Sequence, residues 1–331
     1  MFLKHLTIQN FKGLVHCEMD LEPGFNLLIG DNGKGKTSIL EAASVALGGF
    51  IAGIDHIPSK HIVESEIRIS SSSMGDGSFN QQFETPVSIY CCADVNGDEV
   101  KWTRQKNSVS ASRTTVEPRD ICKIANAMSK NPQSVLPVLS YQSAARAWMQ
   151  KRDSSNKLFD TQFSRTLGYR SCLEEATDSK SLLNWCAKME QVSWQKNKPI
   201  GEYESVKNAV STFMSVMSGT DVCEIQFDKQ SSELSYKEGD GSLPLRYLSA
   251  GYQSVIWMVL DIAYRMAVLN PNLREKATEG SGVVLIDELD VHLHRSGSGI
   301  SSALLRRLFP MCNLSQQLTR QLLLLLVNEE N

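Results

Sequence analysis

What this sequence lacks narrows its class before any motif is considered. None of its eight cysteines, at 17, 91, 92, 122, 172, 186, 223 and 312, forms a C-x-x-C pair. That excludes the common zinc patterns and points to reduced thiols in a cytosol. No apolar h-region follows Met1-Phe2-Leu3-Lys4-His5, so a secretory leader is not expected. The apolar run Leu322 to Val327 is far too short to span a bilayer, and no membrane partner is expected. Neither sign of charge dominates: 34 Lys+Arg stand against 37 Asp+Glu, a net charge of −3. Bulk electrostatics therefore signal neither nucleic acid nor membrane. Apolar heptads are not sustained and no internal repeat is visible, which excludes long coiled-coil arms and solenoids. The 331 residues, 41% apolar and 21% charged, read as a soluble, cytoplasmic globular chain of one large or two modest domains.

Against these absences stands Gly30-Asp31-Asn32-Gly33-Lys34-Gly35-Lys36-Thr37-Ser38, which fits G-x-x-x-x-G-K-[ST]. The apolar stretch Phe25 to Ile29 before it predicts a strand. Ile39 to Leu47 after it predicts a helix, with Gly48-Gly49 read as its stop. The motif needs that context. Its glycines let successive N–H groups turn inward around phosphate oxygens, at the positive end of the helix. Lys36 is expected on the β- and γ-phosphates, and the Thr37 hydroxyl on Mg²⁺.

Phe2 to Gln9 and Val15 to Leu21 read as strands joined by the turn Asn10 to Gly13. Ser70 to Ser78 is Ser/Gly-rich and reads as a loop. Pro86 to Asp94 and Glu99 to Gln105 flank Asn96-Gly97 and predict a hairpin. Asp120 to Lys130 predicts a helix, and Val135 to Tyr141 a buried strand running into Gln142. Two amphipathic helices are expected over Ser179 to Trp194 and Glu202 to Met217, then a hairpin from Cys223 to Lys237.

Two further stretches complete the pattern. Leu248-Ser249-Ala250-Gly251-Tyr252-Gln253 opens a mostly apolar helix over Ser254 to Leu269. Alone, Ser249 would read as a plain N-cap; lying between the phosphate loop and the acidic strand, it reads as a second anion site at a helix N-terminus. Gly282-Val283-Val284-Leu285-Ile286 predicts a strand buried on both faces, ending in Asp287-Glu288. Asp287 is expected to hold Mg²⁺, and Glu288 to polarise the attacking water.

In this order the three motifs resemble the ATPase heads of the SMC, RecF and OLD-type proteins, within the ATP-binding-cassette class. The resemblance covers most of residues 1–294, and its best local match is to arm-less Septu-system and retron-associated ATPases. The opening Leu-x-Ile-x-Asn-Phe-Lys carries it too. The resemblance implies an α/β phosphate-loop NTPase, a mixed sheet flanked by helices, with an inserted α/β-helical subdomain. It divides the chain into an N-terminal lobe (1–60), hairpins and an inserted helical region (61–245), signature helix and acidic strand (246–294) and an atypical tail (295–331). It implies ATP and Mg²⁺ as cofactors, with the loop residues Gly30, Asn32, Gly33, Lys34, Gly35, Lys36, Thr37 and Ser38 around the phosphates. Asn10 and Lys12 would lie beside those phosphates, although Lys12 reads equally well as a solvated turn lysine. Gln142 would touch Mg²⁺ and the attacking water. Ser249 and Gly251 of a second copy would close over the γ-phosphate, giving a homodimer through ATP. Leu289-Asp290 resembles the loop through which such dimers communicate, and His292-x-His294 the Leu-His-Pro that usually follows; metal binding by these histidines is the minor reading. Such proteins work beside a nuclease in anti-phage defence or DNA repair. The rival readings are a dimerising nucleotide-responsive scaffold with little turnover and, more weakly, a transporter subunit.

Residues 101–170 hold 13 Lys/Arg against 4 Asp/Glu, densest around Lys101, Arg104, Lys106, Arg113, Lys151 and Arg152. The segment reads either as a surface facing nucleic acid or an acidic partner, or as a solvated basic face. The tail departs from the family. Arg295 takes the usual Pro position, Ser296 to Gly299 stands where a helix should begin, and no histidine follows His294. Ser315 to Val327 has helical propensity, so a truncated or out-of-frame tail is expected. That would leave the last sheet strands absent, Val283 to Ile286 partly uncovered, hydrolysis poor and the chain prone to aggregate.

Overall fold

The computed structural model describes the chain except residues 32, 75–77, 144–163, 176–178, 221–222, 229–230, 232, 240, 288–311, 318–321 and 326–331. At 72–74, 78–79, 312–317 and 322–325 it describes the backbone only. β1 (Phe2–Phe11) and β2 (Leu14–Asp20) pair antiparallel. Asn10 and Lys12 at their junction take left-handed φ of 55° and 49°. β3 (Phe25–Leu27) leads to the phosphate loop and α1 (Lys36–Ile51). β4 (Ile69–Met74) and β5 (Ser78–Phe83) form a separate antiparallel hairpin. This corrects the loop expected there: a ladder is made by backbone groups, so a run of serines can pair without showing any apolar alternation.

β6 (Val87–Val95) and β7 (Asp98–Lys106) follow, joined through Asn96 and Gly97 at φ 57° and 91°, the conformation that favours Asn-Gly in hairpins. With β8 (Thr115–Glu117) they complete an antiparallel sheet of order β2-β1-β6-β7-β8. After α2 (Asp120–Lys130) come β9 (Val138–Gln142), a short 3-10 turn at Arg165–Tyr169, α3 (Ser179–Lys196) and α4 (Gly201–Ser218). β10 (Cys223–Asp228), β11 (Glu233–Glu238) and β12 (Gly241–Pro244) make a three-stranded sheet. α5 (Ala250–Leu269) precedes β13 (Gly282–Ile286), and β14 (Cys312–Gln317) and β15 (Leu322–Leu325) close the second large sheet. Its order is β15-β3-β14-β13-β9, with β3, β14, β13 and β9 parallel and β15 antiparallel to β3.

Helix α1 lies between the two large sheets, touching β1, β6 and β7 on one side and β13 and β14 on the other. It is therefore buried almost all round, from Leu40 to Ile51, as a helix without a solvent face must be. α5 covers the opposite face of the mixed sheet beside β9 and packs on α4. The segments assigned from sequence do not coincide with the sheets, because β6 and β7 complete the sheet of β1 and β2, and β9 pairs with β13.

Two expectations are corrected here. Gly48-Gly49 does not stop α1, which runs on to Ile51. A Cβ on Gly49 would stand 2.5 Å from Trp102 Nε1, so the glycine serves close packing of the helix on β7. The last strands are not missing either. β14 pairs parallel with β13 over Gly282 to Ile286, where an uncovered edge was expected, and Val283, Val284, Leu285 and Ile286 are all buried. Residues 312–317 and 322–325 are strands rather than helix, because ladder partners on β13 and β3 override local helical propensity. The Arg295 and Ser296–Gly299 departures lie outside the described residues.

Candidate functional site

The loop between β3 and α1 is shaped by two glycines in the left-handed region, Gly33 at φ 79° and Gly35 at φ 88°. Gly35 has a second reason to lack a side chain: its Cβ would come within 2.9 Å of Leu14 Cδ2. Gly35 is the N-cap of α1, no side chain caps that end, and no acid lies in the first turn. The helix therefore presents its first N–H groups and dipole to whatever anion the loop holds. The Lys36 ammonium folds back on the loop and donates to the carbonyls of Gly30 (2.9 Å) and Asp31 (3.0 Å). The Lys34 N–H also reaches the Asp31 carbonyl, at 3.3 Å. Asn32 lies outside the described residues, and the Ser38 side chain is half-buried.

Thr37, in the first turn of α1, directs its hydroxyl at Asp287 Oδ1, 3.5 Å away at the outer edge of hydrogen-bond range. Asp287 follows the last residue of β13, and its N–H donates to the Gln142 carbonyl at 2.8 Å. A threonine hydroxyl and a carboxylate converging beside a helix N-terminus form a hard-oxygen pair suited to Mg²⁺ whose other ligands are phosphate and water. Among the described residues no group of three or more His, Cys, Asp or Glu is placed to hold a metal alone. Glu288, expected to polarise water, lies outside the described residues, as do His292 and His294.

Gln142 is not brought to this pair, which corrects its expected contact with Mg²⁺ and water. Its side-chain amide donates to Ser140 Oγ (2.8 Å) and to Asp261 Oδ2 of α5 (2.9 Å). The cause is strand parity: Gln142 is level with Ile286, so its side chain leaves the sheet opposite to that of Asp287. Asp261 also accepts from Arg265 Nε at 3.0 Å, and the Arg265 guanidinium reaches the carbonyls of Gly168 and Arg170. Burial pulls the Arg265 pKa down, but the charge of Asp261 outweighs it and the net shift is upward.

Asn10 and Lys12 lie at the loop's flank. The Asn10 amide donates to the Pro86 carbonyl at 3.1 Å, and Lys12 is ion-paired with Glu41 on the second turn of α1. Around that pair lie groups the sequence reading missed. The Lys60 ammonium stands 5.2 Å from the Tyr141 ring centroid. Burial pulls Lys60 down, opposed by Glu66 and Glu41, and pushes Glu66 up against the nearby Lys60 and Lys12. Burial, reinforced by Asp287 and Glu41, raises the Tyr141 phenol well above its ordinary value, so it stays protonated. The available signal was spacing: Glu41 follows Thr37 by four residues and shares its helix face.

Ser249 caps α5, accepting from the Tyr252 N–H at 3.4 Å, and is exposed; Gly251, in the first turn, is half-buried. Among the described residues no hydrogen bond joins either of them to the phosphate loop. Two of the basic segment's densest residues are taken up by the fold. Arg104 and Lys106 alternate inward along β7 with Val100 and Trp102. Arg104 donates to the Lys60 carbonyl, and Lys106 to the Ala111 carbonyl at 2.6 Å. Lys101 pairs with Glu99 at 2.9 Å, whereas Arg113 is exposed. Arg104 and Lys106 therefore cannot line a nucleic-acid surface, and Lys151 and Arg152 lie outside the described residues.

A family model described as an AAA domain matches residues 5–236. Among curated proteins, the retron Vc95 probable ATPase of Vibrio cholerae serotype O1 biovar El Tor is 22% identical over 353 aligned residues, covering 88% of this chain and 65% of that protein. The DNA replication and repair protein RecF of Vibrio campbellii is 35% identical over 120 residues, covering 36% of this chain and 32% of RecF. The chain thus spans less than two thirds of the length of these relatives. A solved SMC head bound to the C-winged helix domain of ScpA superposes with a TM-score of 0.55 at 14% identity, covering 95% of this chain and 88% of that one. The fold is that of an SMC-type ATPase head. No described helix is long and apolar enough to cross a membrane.

Proposed function

Because the chain belongs to the AAA domain family, we propose that it binds ATP with Mg²⁺ and hydrolyses it to ADP and phosphate. One observation carries this reading: Thr37 and Asp287 converge beside the uncapped start of α1, where Lys36 also lies. The N–H groups of the loop and of the first turn receive the phosphates, and Lys36 exchanges its loop carbonyls for phosphate oxygens. Thr37 and Asp287 would hold Mg²⁺, which would neutralise charge on the phosphate oxygens. Glu288 orients a water and takes its proton as the water attacks the γ-phosphorus; the bond from that phosphorus to the bridging oxygen breaks, and the oxygen leaves on ADP with the electron pair.

Ser249 and Gly251, at the exposed start of α5, serve a second copy in trans, so ATP joins two chains. We place the chain in anti-phage defence or DNA repair beside a nuclease; its likeness to a retron ATPase and to RecF supports this. A cytoplasmic location accords with its cysteine usage. A second reading, a nucleotide-responsive scaffold with little turnover, is favoured by one feature: the Gln142 amide is held by Ser140 and Asp261 rather than beside Thr37 and Asp287. Steady-state phosphate release and size exclusion with and without ATP test both. Glu288→Gln should keep ATP affinity and slow turnover by ~10²-fold or more, with dimer accumulating, whereas Lys36→Ala should abolish binding. A wild-type chain that binds ATP and dimerises without releasing phosphate would leave only the scaffold.

A further inference from the structure

Lys12 and Glu41 stand at the edge of the phosphate loop, and their pairing has a consequence for which nucleotide the loop prefers. The turn carrying Lys12 rests on the start of α1, since Leu14 fills the space a Cβ of Gly35 would occupy. That turn is anchored by backbone bonds on both sides: the Lys12 N–H donates to the Glu66 carbonyl at 2.7 Å and the Arg68 N–H to the Asn10 carbonyl at 3.0 Å. The backbone of Lys12 is thus held while its long stem can turn. Its ammonium now rests on Glu41, roughly 6 Å along the helix axis beyond Thr37. The same stem can turn instead toward the helix start, where phosphates would sit.

Glu41 is almost fully buried, and a buried carboxylate cannot be left without a cation. A second cation lies within reach of its charge. Lys60 lies over the Tyr141 ring, and the charges of Glu41 and Glu66 both act on it. Lys12 therefore pairs with this buried carboxylate, and Lys60 lies within reach of its charge at the flank of the loop.

We propose that Glu41 is a positioning residue that holds Lys12 in reserve: with a triphosphate in the loop, the Lys12 ammonium leaves Glu41 for the terminal phosphate, and Lys60 takes its place on the carboxylate. The inference rests on the nucleotide reading given above. It makes the pair a discriminator between tri- and diphosphate, since a diphosphate lacks the group that draws Lys12 away.

Dissociation constants for MgATP and MgADP, measured on the full chain and its variants, test this. Glu41→Gln removes the competing charge and should tighten ATP roughly 2- to 5-fold, the scale of a partly exposed ion pair, while ADP changes by less than about 2-fold. On a Lys12→Gln background the same substitution should change neither nucleotide. Lys60→Gln should weaken ATP, because Glu41 then keeps Lys12, and should lose this effect when combined with Glu41→Gln. Glu41→Asp, which shortens the carboxylate, should give an intermediate gain and serves if Glu41→Gln melts early. Equal effects on ATP and ADP, or a gain that survives without Lys12, would overturn the exchange. A wild-type chain that binds neither nucleotide overturns the nucleotide reading itself.

Discussion

Removing the carboxylate of Asp261 should cost this protein more than any single surface change. Asp261 accepts from Arg265 Nε at 3.0 Å and from the Gln142 amide at 2.9 Å, and Asp261 and Arg265 are almost fully excluded from solvent. In Asp261→Ala, Arg265 keeps the carbonyls of Gly168 and Arg170 but loses its only ion-pair partner among the described residues. Stranding a buried charge this way costs about 3–5 kcal/mol. Gln142 keeps Ser140 as acceptor, so its share is small, and about 4 kcal/mol is expected. Against a typical domain stability of roughly 5–15 kcal/mol, that is a severe loss. Urea unfolding followed by tryptophan fluorescence suits the measurement, because Trp185 lies 5.3 Å from the ring of Tyr264 on α5. The mechanism also predicts non-additivity. Asp261→Leu combined with Arg265→Met removes both charges and should recover at least half of the loss. A cost below about 1 kcal/mol for Asp261→Ala, or a double variant as unstable as the sum of its singles, would refute the reasoning.

Other perturbations separate packing from charge. Gly49→Ala would push Trp102 from the Ala46 carbonyl it donates to at 2.9 Å. Overpacking and a lost buried bond, each about 1–3 kcal/mol, exceed the gain of about 1 kcal/mol in helix propensity, so melting should show net destabilisation. A stabilised variant would mean the indole moves aside at no cost. His61 accepts from the Thr114 N–H at 3.2 Å, and burial, then Arg104, Arg113 and Lys106, lowers its pKa. The unfolded chain takes up this proton near pH 6.5 and the folded chain only at lower pH. Stability should therefore fall as pH drops below about 6.5, and His61→Asn should shallow that fall; an unchanged slope would exclude His61 as its source.

Much of the candidate site was legible because its chemistry is local. The Gly33, Gly35, Lys36 and Thr37 spacing specifies left-handed glycines, a folded-back lysine and a hydroxyl in the first turn, all within one loop. α2 was readable to its end residues, since Asp120 and Lys130 stand at its acidic start and basic end. Gln142 was misread because a strand's end residue can be recognised from sequence while the sheet face it takes cannot. Arg104 and Lys106 counted toward a basic surface although they share the inward parity of Trp102, a pattern outweighed by their charge. Glu41 drew no reading from sequence, because its partner Lys12 comes to it from a distant segment. The tail looked helical because propensity sees neighbours in sequence, whereas β13 and β3 supply its partners from far away.

The strand order of the mixed sheet constrains how this protein can be made. Among the described residues β3, which feeds the phosphate loop, has ladder partners only on β14 and β15. During synthesis β3, the loop and α1 are made well before β14, so among the described strands β3 has no neighbour until residues beyond 311 emerge. The phosphate-loop site therefore cannot mature until β14 has been made; it closes only when segments distant in sequence meet. Parallel pairing across such a separation is slow to form and leaves unpaired edges exposed meanwhile. Early release or proteolytic clipping past β13 would thus silence the site without touching any residue that lines it.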